Sequence, residues 1–198
     1  MKKFLMASLA MFFVAFESFA QVEQGVFSIK PAAGITVANL TGAGTSSKIG
    51  FTGGAELAYQ ATDILGLSAG VMYSMEGAKD DINTDFGRFN AKANLSYLNI
   101  PVMANFYVFD GLALKIGVQP ACLLKAEVKL DGTTTDVKSM VEKFNLSIPV
   151  GISYEFGNLM VDARFAMGLT KVTKSTPEVN DSKSSVFQIT LGYRIPLN

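Results

Sequence analysis

From about residue 27 to the C-terminus, apolar residues alternate with small or polar ones at period two. The last segment is the clearest. Phe187, Ile189, Leu191, Tyr193, Ile195 and Leu197 share one side, and Gln188, Thr190, Gly192 and Arg194 share the other. Successive side chains of a strand point to opposite faces, so each such segment has one apolar and one polar surface. The pattern predicts strands over Phe27–Ala38, Ile49–Gln60, Leu65–Glu76, Ala93–Phe109, Leu112–Val128, Phe144–Phe156, Leu159–Thr170 and Ser185–Leu197.

The connections alternate in length. Asp110-Gly111 and Gly157-Asn158 have two-residue hairpin chemistry, and Ala61–Ile64 is only slightly longer. Between them come long polar loops over Asn39–Lys48, Gly77–Lys92, Lys129–Lys143 and Lys171–Ser184. About ten alternating residues suffice for a tilted strand to cross a bilayer, and short periplasmic turns with long outer loops characterise outer-membrane barrels. An even strand count also returns both termini to the periplasmic side. The predicted fold is therefore all-β: one antiparallel transmembrane β-barrel of about eight strands.

Aromatic positions fit that topology. Phe51, Tyr73, Phe144 and Phe187 fall near the long-loop ends of their strands, and Tyr59, Phe106, Tyr154 and Tyr193 near the short-turn ends. Two such belts match the headgroup levels of a membrane. Prolines at 31, 101, 120, 149 and 196 run against the pattern, because each lacks a ladder donor and a closed barrel has no free edge. Bulges or strand ends are expected there.

Composition sharpens the picture. The chain is 49% hydrophobic with only 17% charged residues, rich for a soluble secreted domain. Yet after the N-terminus no stretch approaches the roughly 18 apolar residues of a helical span. Residues Met1–Ala20 read as a cleavable secretory leader: Lys2-Lys3, an apolar run from Phe4 to Phe16, then Ser18-Phe19-Ala20 with small residues at the cleavage positions. Glu17 is an unusual intrusion. The remainder, 21–198, is enough for one barrel domain in the outer membrane of a Gram-negative envelope. The 17 basic and 17 acidic residues balance, so there is no electrostatic case for nucleic acid. Cys122 is the one cysteine, which excludes an internal disulfide, and it falls in the apolar register.

The polar register carries Lys30, Glu56, Glu76, Lys115, Lys125, Glu127, Glu155, Asp162, Arg164 and Arg194 among Gly, Ser and Ala. A barrel of eight strands has room only for side chains to fill it. Lys30, Glu56, Lys115, Glu155, Asp162, Arg164 and Arg194 collect toward the short turns and form a candidate ion-pair plug that neutralises buried charge. The other reading of these charges is a site of paired carboxylates, or a lined pore. An enzyme is disfavoured because the chain has no histidine, the usual general base and the commonest transition-metal ligand. A carboxylate mechanism would require Glu76 and Glu127 as an inward pair at the outer rim. No cofactor, metal or catalytic residue is expected. Asp81, Asn83, Asp85 and Gly87 look like the opening of a calcium loop, but Gly comes one residue late and Lys92 occupies the acidic twelfth position. A solvated acidic loop is the better reading.

Tyr97-Leu98-Asn99-Ile100-Pro101, followed by Gly111-Leu112-Ala113-Leu114-Lys115-Ile116-Gly117, resembles a strand pair of the PorT-like outer-membrane β-barrel family of Bacteroidetes. Pro31–Leu40 is similar to that family's first strand, and Tyr154-Glu155-Phe156 and Asp162-Ala163-Arg164-Phe165 to its sixth and seventh. The resemblance implies an outer-membrane location and about eight strands, and brings no catalytic residues. The expected function is a non-enzymatic structural or interaction role. Charged outer loops would carry it, with Lys79, Asp80, Asp81, Asp85 and Arg88 in the second and Lys171, Lys174, Glu178, Asp181 and Lys183 in the fourth. The partners would be outer-membrane lipid and either lipopolysaccharide or another envelope protein. A narrow transporter or accessory secretion component is the alternative, and a soluble lipocalin-like ligand-binding barrel, apolar face inward, the second.

Overall fold

The computed structural model describes residues 24–41, 46–84, 87–130, 133–172 and 183–197. The expected leader Met1–Ala20 lies outside them, as do Asp85 and most of the fourth loop. Among the described residues the elements are all strands: β1 (Phe27–Thr41), β2 (Ser46–Gln60), β3 (Leu65–Thr84), β4 (Gly87–Asn99), β5 (Val102–Phe109), β6 (Leu112–Leu130), β7 (Thr133–Asp136), β8 (Phe144–Phe156), β9 (Leu159–Lys171), β10 (Lys183–Tyr193) and β11 (Ile195–Leu197). β4 and β5 are two parts of one wall, and so are β10 and β11. Neighbours in the chain pair antiparallel, and β1 closes the cylinder by pairing β10 from Ala32↔Gly192 to Thr41↔Lys183. With β7 as a small addition on β6, the result is a closed eight-stranded antiparallel barrel.

The barrel is inside out relative to a soluble one. Ile35 and Leu191 are 52% and 57% exposed, while their sequence neighbours Thr36 and Thr190 are buried in the lumen. That parity excludes the lipocalin-like reading, because the apolar face is the outer one. Phe51, Phe144 and Phe187 toward the loops, and Tyr59, Phe106 and Tyr193 toward the turns, all stand on the outer surface. The two-residue turns work through glycine. Gly111 and Gly157 have φ of 76° and 60°, which L side chains rarely adopt.

The prolines fall where the ladder is interrupted. The β6–β8 register runs to Ile116↔Val150 and resumes at Gln119↔Ser147, leaving Pro149 in the gap. Pro101 and Pro120 share the break between β4 and β5, where Ile100 N–H donates to the Pro120 carbonyl at 2.8 Å. Pro31 lies beside the break at Arg194, whose N–H turns to the Asn158 carbonyl at 2.6 Å. The missing donors of these four thus lie at points where the sheet forgoes a pair, as strand prolines require, whereas Pro196 stays in register with Ser28 in the short terminal strand β11.

Two expectations are corrected. First, the second long loop is largely a hairpin: β3 and β4 stay paired from Met72↔Asn99 to Thr84↔Gly87. Asp81 and Asn83 therefore lie in extended, laddered backbone and not in a coiled calcium loop. Second, β6 pairs β4 at Ser96↔Lys125 and then at Tyr97↔Leu123, so Leu124 is an extra residue. This β-bulge reverses the facing of the residues on its C-terminal side. Lys125, expected inward, is exposed, and Glu127 is on the outer face with it, their charges 2.8 Å apart.

Since the outer face meets lipid, Leu191→Arg should cost about 2–4 kcal/mol near mid-span. Urea titration of the barrel folded into vesicles would measure it, and a change near zero would mean that this face does not contact hydrocarbon.

Candidate functional site: the barrel interior

The lumen is built in three tiers. At the short-turn end, inward positions of β1, β2, β6, β8, β9 and the Arg194 linker place Lys30, Glu56, Lys115, Glu155, Asp162, Arg164 and Arg194 together, all buried. Lys30 Nζ lies 2.6 Å from Glu155 Oε1, and Arg194 Nη1 is 3.3 Å from Glu155 Oε2. The Tyr107 hydroxyl donates to Glu155 Oε1 at 3.2 Å. Arg164 spans two carboxylates, with Nη1 2.5 Å from Glu56 Oε1 and Nε 2.6 Å from Asp162 Oδ1. Lys115 Nζ reaches the second Asp162 oxygen at 2.5 Å.

These pairs cross the lumen and do not follow the ladder. Lys30 is directly opposite Glu56 in the β1–β2 register, yet it pairs with Glu155 of β8. Glu56 is taken instead by Arg164 of β9. Two charges removed from water are expensive, and geometry of this kind is what offsets the desolvation. Arginine suits the central position because its planar fork can serve two acceptors at once.

The middle tier is polar, with Glu76 and Lys48 as its charged residues. The Glu76 carboxylate accepts from Ser74 Oγ at 2.7 Å and Ser184 Oγ at 3.2 Å, and Asn99 Nδ2 donates to Ser74 Oγ at 2.7 Å. Lys48 Nζ donates to the Glu76 backbone carbonyl at 3.0 Å. A pocket bounded by Glu76, Tyr97, Asn99, Gln119, Asn145 and Ser184 has room for about one water molecule. Because Glu76 points inward and Glu127 outward, the two cannot form the carboxylate pair that an enzymatic rim would need.

The outer tier is apolar, and sequence reasoning missed it. Leu95, Tyr97, Ala121, Leu123 and Ala126 of β4 and β6 enclose Val141 and Val172, with Val137 packed against them. Backbone bonds hold the inserted segments: Val137 N–H to the Ala126 carbonyl at 3.0 Å, Leu123 N–H to the Lys143 carbonyl at 2.8 Å, and Glu142 N–H to the Val172 carbonyl at 2.8 Å. The only hint in the sequence was isolated valines inside otherwise polar loops. Among the described residues, no group of three or more His, Cys, Asp or Glu is placed to hold a metal ion.

A closed cylinder with lipid-facing apolar residues outside and a packed polar lumen defines the class as outer-membrane β-barrels. Residues 19–174 match the outer membrane protein beta-barrel domain family, and the chain belongs to that family. No curated protein sequence matches the chain. Among solved structures it is similar to Ail, the attachment invasion locus protein of Yersinia pestis. The identity is 16% and the TM-score 0.50, covering 87% of this chain and all (100%) of that one. It is similar also to the Neisserial surface protein A, at 17% identity and a TM-score of 0.55, covering 85% of this chain and 97% of that one. At such identities the likeness is one of fold. Family and fold place the protein in the outer membrane.

Arg164 holds two buried carboxylates, so Arg164→Met should destabilise by roughly 3–5 kcal/mol through uncompensated charge. Lys125→Met, on the outer face, should unfold like the parent. Paired denaturant titrations would check both, and equal behaviour of the two variants would count against a structural role for the inner network.

Proposed function

We propose that this protein is a non-enzymatic outer-membrane barrel, closed to bulk solute, that works through contacts made by its long-loop end. The supporting observation is the ionic tier. Each of its three carboxylates, Glu56, Glu155 and Asp162, is bonded to a cation from another strand, so four cations and three carboxylates cross-link the strands through the lumen and fill it. The apolar tier adds a second closure, since a dry constriction resists ions as well as an electrostatic one does. The leader Met1–Ala20 is cleaved and residues 21–198 form the mature protein. The partner is lipopolysaccharide or another envelope protein, recognised by charged outer residues displayed on a rigid scaffold.

A PorT-like role, as an accessory component of a protein secretion machine or as a narrow transporter, is the second reading. The Tyr97–Pro101 resemblance favours it, for these residues form the β4–β5 junction at the wall of the lumen.

Planar-bilayer recording of the purified barrel separates the two. The plugged reading expects no large, steady single-channel conductance at neutral pH. Stable conductance steps from the parent protein would reject the plug and support transport.

A further inference from the structure

On the β3–β4–β6–β7 side the strands rise past the lipid belt, and there the register creates a costly juxtaposition. Lys92 of β4 is directly opposite Lys129 of β6, and its cross-strand neighbour on β3 is Lys79. Three lysines therefore occupy one row across three adjacent strands. Like charges directly opposite on an antiparallel pair are destabilising. Lys92 and Lys129 are exposed, and no described side chain forms an ion pair with either.

Lys92 and Lys129 face away from the lumen. Leu95 and Ala126, three residues from Lys92 and Lys129 and so of opposite parity, point into the apolar tier. Toward the membrane the next row is Asn94, Glu127 and Asp136. Glu127 is taken by Lys125, and Asp136 accepts the Lys138 backbone N–H at 2.8 Å. Below these, exposed Leu124 and then the exposed Cys122–Phe144 pair begin the lipid-facing surface. Lys92 and Lys129 are thus turned laterally, on the long-loop side of the lipid-facing surface.

We propose that Lys92 and Lys129 bind phosphate groups of the outer-leaflet glycolipid. A multivalent anion placed across the row cancels the repulsion between the lysines, and lysine acts on phosphate as a compact point charge. The lateral facing selects a membrane-borne anion over a soluble one. This inference rests on the proposed function, in which the long-loop end faces outward.

The test uses the full mature chain in neutral phospholipid bilayers, alone, with a phosphorylated diglucosamine glycolipid (lipid A), and with the same glycolipid dephosphorylated. Parent and a Lys92→Gln/Lys129→Gln variant are compared by thermal unfolding, read from gel mobility, and by glycolipid retained per barrel. In neutral bilayers the variant should melt higher than the parent, because the repulsion is gone. With phosphorylated glycolipid the order should reverse, and the variant's affinity should fall by roughly an order of magnitude. Equal stabilisation by the dephosphorylated glycolipid, or a full shift retained by the variant, would overturn the proposal. Inorganic phosphate reproducing the whole shift would also overturn it, by making the row a general anion site. Labelling of Lys129→Cys in a Cys122→Ala background with a membrane-impermeant maleimide on intact cells tests orientation separately. Protection from that label would reject the outward reading itself, whatever the lipid binding shows.

Discussion

The structure depends on one constraint: inside hydrocarbon no backbone N–H or C=O can turn to water. An open sheet edge in that setting leaves a row of unsatisfied groups, each costing several kcal/mol, so a spanning sheet must close on itself. Here closure is the β1–β10 ladder, from Ala32↔Gly192 to Thr41↔Lys183. Once the cylinder is shut, strand parity assigns every side chain to lipid or to lumen. Pro31, Pro101, Pro120 and Pro149 become tolerable at interruptions of the ladder, and the structure places Pro101 and Pro120 at the same one.

Closure also determines the chemistry of the lumen. Side chains that alternate with lipid-facing Ile, Leu and Phe are gathered into a space too narrow for bulk water, where an isolated charge is untenable. The lower tier meets this by bonding across the cylinder, with Arg164 linking β9 to β2 and Lys30 linking β1 to β8. The middle tier uses hydroxyls and amides around Glu76. In the outer tier, chain from the loops folds in and packs Val141 and Val172 against the wall. An interior filled in three ways along its length directs attention to the rim and outer face, where charge meets solvent and headgroups. Family and fold identify the kind of protein; the contacts of that rim are where its specificity is to be sought.

The amino-acid sequence by itself determined which segments are strands, which face of each is apolar, and which charged residues enter the lumen near the short turns. A period of two is local information, and the lengths of the connections are enough to imply the order of pairing and its orientation in the membrane. Register and long-range contact lay beyond it. The bulge at Leu124 adds one residue and so turns Lys125 and Glu127 from lumen to exterior, a reversal that no periodicity announces. The continuation of β3 and β4 through the supposed second loop depends on their pairing with each other, which overrides polar composition. Lys30 lies beside Glu56 in the ladder but bonds Glu155 across the lumen, because the tilt and stagger of the closed barrel decide which side chains meet at its axis. The row of Lys79, Lys92 and Lys129 likewise exists only in the register, since residues far apart in sequence become neighbours when the strands are laid side by side.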